Sequence, residues 1–379
     1  MKKMSFLVLT LFLLFCVGAC TSNSKAKEQI IDSVKTEIPQ EKEPKKVKKP
    51  VVVKPVKGSL VMTFTGDNLF GGRMAGYIKT NGYGFPYEFV KDTLVNSDIT
   101  FGNLECPLTN YSHQTQGKSA TSIRARKNFV FKAPPEYVKI LVDNGFDIVT
   151  LGNNHAMDYR SEGLIETIDM LDKNGIAYIG GGKNLKDARK PKIIEKNGYK
   201  IGFLGYSMIV PALSAATEKT AGTNTSSKSY TAQIDSDIKK LKKEVDLVVA
   251  TFHWGIEGQY YPAGYQKDIA HKAIDAGADI IIGHHPHRIQ GVEVYKKGVI
   301  AYSLGNFMFT GASSQVETFI IQVLYDENQK RTIRIIPGWV LNGRPKPSTD
   351  KNLFNKIINI SKGFGTKFGI EENYLQVLN

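Results

Sequence analysis

From residue 59 onward, short apolar runs alternate with stretches whose apolar positions recur every three to four residues. The runs at 60–65 (LVMTFT), 98–101, 147–151, 177–179, 247–252 and 280–282 are brief and rich in β-branched and aromatic residues, which is how buried strands read. Helical patterns fill the gaps at 135–144, 161–173, 234–243 and 265–276; the first carries Tyr137, Ile140 and Leu141 on one face and stops at Gly145. Asn197-Gly198 predicts a tight hairpin turn within 192–206, and Lys296-Lys297-Gly298 a turn between strands at 292–295 and 299–303. Later strands are expected at 318–325 and 332–336, and a surface loop over 212–229, where Ser, Thr, Ala and Lys dominate. Such alternation predicts an α/β domain with a mixed sheet.

The chain start reads differently. Lys2 and Lys3 precede a twelve-residue apolar run, FLVLTLFLLFCV. As a helix it would rise about 18 Å, short for a bilayer span and right for the core of an export signal. Val17-Gly18-Ala19-Cys20 follows and resembles a bacterial lipobox, in which small residues let a peptidase grip the extended backbone and the Cys20 thiol accepts a diacylglyceryl group. The expectation is a lipoprotein signal peptide at 1–19, lipidation at Cys20, and an extracytoplasmic protein held at the cell membrane. An ordinary secretory signal containing a cysteine is the alternative. Residues 20–58 are rich in Lys, Glu and Pro, with too little apolar surface to offset chain entropy, and read as a disordered tether.

Composition narrows the class. Over 379 residues, 41% hydrophobic and 23% charged content fits a globular protein and excludes collagen-like, wholly disordered and polytopic membrane chains. The net charge of +14 is partly a property of the tether, where ten Lys face five acids over 21–58; with Lys2 and Lys3 also set aside, +7 stays on the rest. Export removes nucleic acid as a partner, so the basic excess suits an anionic surface polymer or the membrane face. Of the three Cys, Cys16 leaves with the signal and Cys20 is acylated, so Cys106 stands alone and reads as a small buried hydrophobe.

Chemistry collects where strands end. Gly66-Asp67, Gly102-Asn103-Leu104-Glu105, Gly152-Asn153-Asn154-His155 with Asp158, His253-Trp254-Gly255 with Glu257, and Gly283-His284-His285-Pro286-His287 each follow a strand directly. In open α/β sheets the carboxyl ends of strands open onto the ligand crevice. Five of the seven His lie in these segments, and three imidazoles within four residues are hard to bury without a partner. With the His284-His285-Pro286-His287 cluster, Asp67, Glu105, an Asn carbonyl and His253 make the mixed oxygen and nitrogen donor set that Mn, Fe or Zn prefers. One or two divalent ions are expected. Arg73, Arg124, Arg126 and Lys127 are candidates for holding an anionic substrate, with solvated surface charge as the plainer reading.

These motifs resemble the CapA family of bacterial capsule (poly-γ-glutamate) synthesis proteins, whose fold is that of the calcineurin-like metallophosphoesterases. The matching stretches are FTGDNLFGGRM, SDITFGNLECPL, GFDIVTLGNNHAMDYRSEGLIETIDML, DLVVATFHWGIE, GADIIIGHHPHRIQGVEVYKKGVIAYSLGNFMF and PKPST, covering 59–349 and leaving 350–379 as a C-terminal helical extension. The resemblance implies a four-layer α/β/β/α sandwich and work beside membrane-bound capsule synthetase subunits. It also implies roles: Glu105 in place of a bridging Asp, Asn154 as a ligand, His155 as the acid near the leaving group, His253 as the lone-His ligand, and His285 and His287 as the final pair. His284 is left as a supporting residue. The first metallophosphoesterase motif, Asp-x-His, departs here, because Asp67 is followed by Asn68 and Leu69. One metal position is then complete and the other short of a ligand. The leading reading is a lipid-anchored component for synthesis or export of an anionic capsular polymer, carrying a metal site with a leaning towards hydrolysis. The alternatives are a secreted metallohydrolase acting on a phosphoester or amide of an envelope polymer, and a non-catalytic polymer-binding scaffold.

Overall fold

A computed structural model describes residues 56–310 and 315–379. The expected signal peptide, Cys20 and the tether up to residue 55 lie outside the described residues. Among the described residues, no helix is long and apolar enough to cross a membrane.

Two sheets carry the fold. The first runs Phe368–Ile370, Leu375–Val377, Arg331–Leu341, Gln315–Tyr325, Leu60–Asn68, Ile99–Leu104, Ile148–Thr150, Ala177–Ile179, with Asn306–Met308 beside Leu60–Asn68 and Arg344–Pro347 beside Arg331–Leu341. The second runs Val292–Tyr295, Gly298–Ala301, Ile280–His284, Leu247–His253, Tyr199–Ser207, Lys192–Lys196. In the first sheet Leu60–Asn68, Ile99–Leu104, Ile148–Thr150 and Ala177–Ile179 are parallel and the other half antiparallel; in the second the middle strands are parallel and the two flanking ones antiparallel.

Side-chain alternation sorts the layers. Met62, Phe64, Phe101, Phe203, Val249, Ile280 and Ile282 point between the sheets and form one buried core. Phe101 and Phe203 stack across that gap with ring centroids 6.4 Å apart. On the outer face of the first sheet, helices Arg73–Asn81, Val138–Asp143 and Arg160–Lys173 bury Met74, Ile140, Leu164 and Leu171 against Leu104, Val149 and Leu151. Helices Ala232–Lys242 and Gly264–Ala276 cover the second sheet, packing Ile238, Leu241 and Ile269 on Val248, Ala250 and Ile281. The result is the expected α/β/β/α sandwich. Strands read as continuous apolar runs because both of their faces are covered.

The hairpin turn falls at Asn197-Gly198, both at positive φ, which gives a two-residue turn its strand-matching twist. Several regions differ from the sequence expectation, which lacked the short helices Lys91–Val95, Ala120–Arg124 and Leu185–Arg189. Helix Arg73–Asn81 has no counterpart in that expectation, having only two buried anchors, Met74 and Ile78. Residues 212–229 are not a free surface loop: Gly222–Thr223 pairs with Gly181–Gly182, and Ala216, Ala221, Thr223 and Asn224 are buried. The C-terminal segment is α-helical over Lys351–Ser361, whose Leu353, Phe354, Ile357 and Ile360 enter the inter-sheet core, and continues as a 3-10 turn over Lys362–Phe364; two short strands then join the first sheet through Arg331–Leu341.

Parallel register places the site. Asp67 sits opposite Asn103, Asn103 opposite Thr150, and on the other sheet His253 opposite His284, so one end of the sandwich receives every candidate ligand strand. The close approach of segment 302–305 to both sheets explains two glycines. A Cβ on Gly66 would lie 2.0 Å from the Gly305 oxygen, and one on Gly283 would lie 1.9 Å from the Tyr302 oxygen. Gly66→Ala is therefore expected to destabilise the fold by about 3 kcal/mol, because backbone cannot yield as a side chain can. Urea denaturation checks this, and an unchanged midpoint would refute the close approach.

Candidate metal centre

Each strand end contributes a side chain held by its own local structure. Asp67 and Glu105 are fully buried, and Asn103 stands between them, its Nδ2 donating to Asp67 Oδ1 (2.9 Å) and Glu105 Oε2 (3.2 Å). Asn103 accepts in turn at Oδ1 from Asn153 Nδ2 (2.9 Å). Asn153 also donates to the Leu104 carbonyl and accepts from the amides of His155 and Ala156, which fixes the loop after Ile148–Thr150. That arrangement turns the neighbouring Asn154 outward, its Oδ1 2.7 Å from His253 Nε2.

The His284-His285-Pro286-His287 turn carries positive φ at His285 (96°) and His287 (53°), a conformation that non-glycine residues adopt at a cost. The turn aims two of its rings, those of His284 and His287, at the acids. His284 Nδ1 lies 3.0 Å from Asp67 Oδ1, and His287 Nδ1 lies 3.4 Å from Asp67 Oδ2. His287 Nε2 and His253 Nε2 each stand 3.8 Å from Glu105 Oε1. The His253 and His285 rings are 4.9 Å apart.

Two groups of donor atoms fall within 4.8 Å of one another: Asp67, Glu105 and His287 in one, Glu257, His285 and His287 in the other. Ligands opposed across an ion at normal bond lengths are about 4.2 Å apart, so a small inward movement closes either group on a cation. Glu105 Oε1, His253 Nδ1, His284 Nε2 and His285 Nδ1 are buried without a hydrogen-bond partner among the described residues. Such atoms cost about 1–3 kcal/mol each if left unmatched, and an acceptor of this kind is what a cation satisfies.

Electrostatics agree. Burial and the adjacent Asp67 charge push the Glu105 carboxyl well above the usual range. Burial works to raise Asp67 too, but hydrogen bonds from His284 and His287 outweigh it and hold Asp67 well below. Burial opposes charge on His287, yet Glu105 and Asp67 lift it to about 10. Burial and the neighbouring imidazoles drive His253 well down and His285 to about 3, leaving both as neutral rings whose lone pairs are free to ligate. Asp67 is thus the ionised carboxylate of the pocket, paired with a charged His287 ring, while Glu105 is held protonated and His253 and His285 stand by as neutral rings.

His155 stands beside this cluster. Its Nδ1 is 2.7 Å from Asp158 Oδ2 and 3.1 Å from Lys118 Nζ, which leaves Nε2 as the nitrogen for an external group. Lys118 donates to Asp158 Oδ1 (2.5 Å) and to the Phe129 carbonyl (2.9 Å), so its charge is spent on holding the loop and Asp158. Phe131 covers the His155 ring at 4.8 Å, and burial lowers its pKa against the pull of Asp158.

The structure thus brings Asp67, Glu105, Asn154, His253, His285 and His287 to one pocket, with His155 next to it. It distributes the candidate substrate residues less tightly. Arg124 lines, with Gln114, Ser119, Ile123 and Lys118, a surface cleft of about 460 Å³. Arg126 and Lys127 are exposed just beyond it, and Arg73 is exposed at the start of its helix. None of these four forms an ion pair with another described residue. Sequence reasoning missed the parts played by Asn103, Asn153 and Lys118; the two Asn were visible in the strand-end motifs, whereas Lys118 arrives from a loop with no motif. Cys106 is buried and its thiol pushed up to about 12 by burial, consistent with a packing role. Trp254 and Tyr302 are likewise buried in the outer core.

Comparison with known proteins adds the family. The bacterial capsule synthesis protein model PGA_cap matches residues 61–311. The capsule biosynthesis protein CapA of Bacillus anthracis is 32% identical over 323 residues, spanning 84% of this chain and 77% of that protein. The PGA biosynthesis protein CapA of Bacillus subtilis (strain 168) is 31% identical over 301 residues, spanning 79% and 76%. Among solved structures, TT1561 of Thermus thermophilus superposes with a TM-score of 0.41 at 12% identity, over 74% of this chain and 98% of that one. The 5′-nucleotidase of Candida albicans gives 0.40 at 14%, over 81% and 55%. On the family match across most of the domain and the two CapA relatives, this chain belongs to the bacterial capsule synthesis protein family.

Proposed function

We propose that the protein is a lipid-anchored, extracytoplasmic component of anionic capsule-polymer synthesis or export, with poly-γ-glutamate as the polymer its relatives' names suggest, and that its pocket is a divalent-metal centre. The observation that carries the metal reading is the convergence of Asp67, Glu105 and His287 donor atoms within 4.8 Å in a buried pocket that also holds an unmatched Glu105 Oε1. Asp67, Glu105, Asn154, His253, His285 and His287 would hold one or two ions, and the mixed donor set suits Mn, Fe or Zn. When bound, such an ion supplies Lewis acidity towards an acyl or phosphoryl oxygen.

The chain's own groups define the rest. Arg124, which lines the same surface cleft as Lys118, would pair with a carboxylate of the polymer. His155 Nε2 is the proton donor for the departing group, with Asp158 fixing the ring through Nδ1. Asn103 keeps the two carboxylates apart and facing the same point. This His155 arrangement favours a hydrolytic step on the polymer, an amide or ester cleavage, over a passive scaffold. Capsule synthetase subunits and the membrane, through the Cys20 lipid, are the partners on this reading, and nucleic acid is not.

Three measurements test it. Metal analysis of the full chain after Mn²⁺ loading should find bound ion, with Glu105→Gln losing at least tenfold in affinity; equal ion content in both proteins would sink the metal centre. With poly-γ-glutamate or a generic phosphodiester as substrate, His155→Ala should keep its metal yet lose about 10²–10⁴-fold in turnover, the usual worth of a general acid; undiminished turnover removes His155 from the chemistry. Cys20→Ser should move the protein from the membrane fraction to the soluble fraction, and retention on membranes would exclude the lipid anchor.

A further inference from the structure

The second donor group includes a residue outside the set expected from sequence. Glu257 is exposed, four residues past His253, in the loop between strand Leu247–His253 and helix Gly264–Ala276. Three features fix that loop. Gly255 (φ 93°) and Gly258 (φ 81°) give the chain two left-handed bends. Gly255 N–H donates to Tyr265 Oη at 2.6 Å. Gly258 N–H donates to the Pro286 carbonyl at 2.8 Å, which pins the loop onto the histidine turn. The outcome is a Glu257 carboxylate oxygen within 4.8 Å of ring nitrogens of both His285 and His287. His285 Nδ1 is buried and has no hydrogen-bond partner among the described residues.

The position where a first-motif histidine would stand cannot help, because it holds Leu69, a buried apolar residue of the outer core. Its neighbour Asn68 is spent inside the fold, donating Nδ2 to the Gly66 carbonyl (2.8 Å) and accepting at Oδ1 from Tyr87 Oη (2.8 Å). A second cation therefore has to draw its ligands from another side, and the loop after His253 offers one.

We propose that Glu257 is a ligand of a second, outer cation position that it forms with His285, adjoining the inner position of Asp67 and Glu105, with His287 between the two. This rests on the metal reading above and extends it to a two-ion centre whose outer carboxylate comes from a loop. Carboxylate and imidazole together suit the same class of divalent ion as the inner group.

Manganese stoichiometry of the full chain, measured by elemental analysis after gel filtration and by electron paramagnetic resonance, tests the assignment without reference to activity. Wild type should retain two Mn²⁺ per chain with a spin-coupled signal. Glu257→Gln and Glu257→Ala should retain one, lose the coupled signal, and bind the second ion at least tenfold more weakly. Their circular dichroism should be unchanged, since the side chain is exposed. Two ions in both variants, or a single ion in wild type, overturns the role of Glu257 and leaves the inner site standing. Absence of ion from wild type overturns both this assignment and the metal reading.

Discussion

Two carboxylates buried at one point are the constraint around which the rest is arranged. Asp67 and Glu105 have no access to water, and like charges in such surroundings repel strongly. A positive charge or a proton has to accompany them. The fold answers with one amide, Asn103, bridging the pair, a ring of imidazoles facing them, and a backbone route that brings the segments together. Parallel strands from two separate sheets are what make this possible, because parallel register delivers the end of every strand to the same level.

Much of this is legible in the sequence itself. Strands covered on both faces leave an unbroken apolar signature, so Leu247–His253 and Ile280–His284 stood out along with the residues that follow them. The site segments were legible for the same reason: each begins with a short polar run just where an apolar one stops. Glycine before Asp67 and before His284 marks where a crossing backbone leaves no space for a Cβ, a demand written into the sequence but explained only by segment 302–305.

What stayed hidden depends on distant partners. Lys118 carries no local signal, since its value comes from Asp158 and His155, far along the chain. The region 212–229 looks solvated by composition, yet Gly222–Thr223 pairs with Gly181–Gly182, and a Cβ on Gly222 would lie 2.4 Å from the Ala216 backbone nitrogen. The C-terminal strands are too short to show a period, and only pairing with Arg331–Leu341 gives them one. Glu257 belongs to a strand-end motif but carries no signal as a donor, because an exposed acid past a strand end is ordinary until the loop is seen folded back onto Pro286.

The direction of strand Leu60–Asn68 has one more consequence. Its first residues are anchored beside the hairpin turn, where Gly58 and Ser59 bond to Asn197, and its last residues carry Asp67. Seven steps of extended chain separate the two poles by roughly 23 Å. The backbone at Gly58 is thus held at the pole of the sandwich opposite the chemistry, so the strand acts as a strut between an anchored end and a working one.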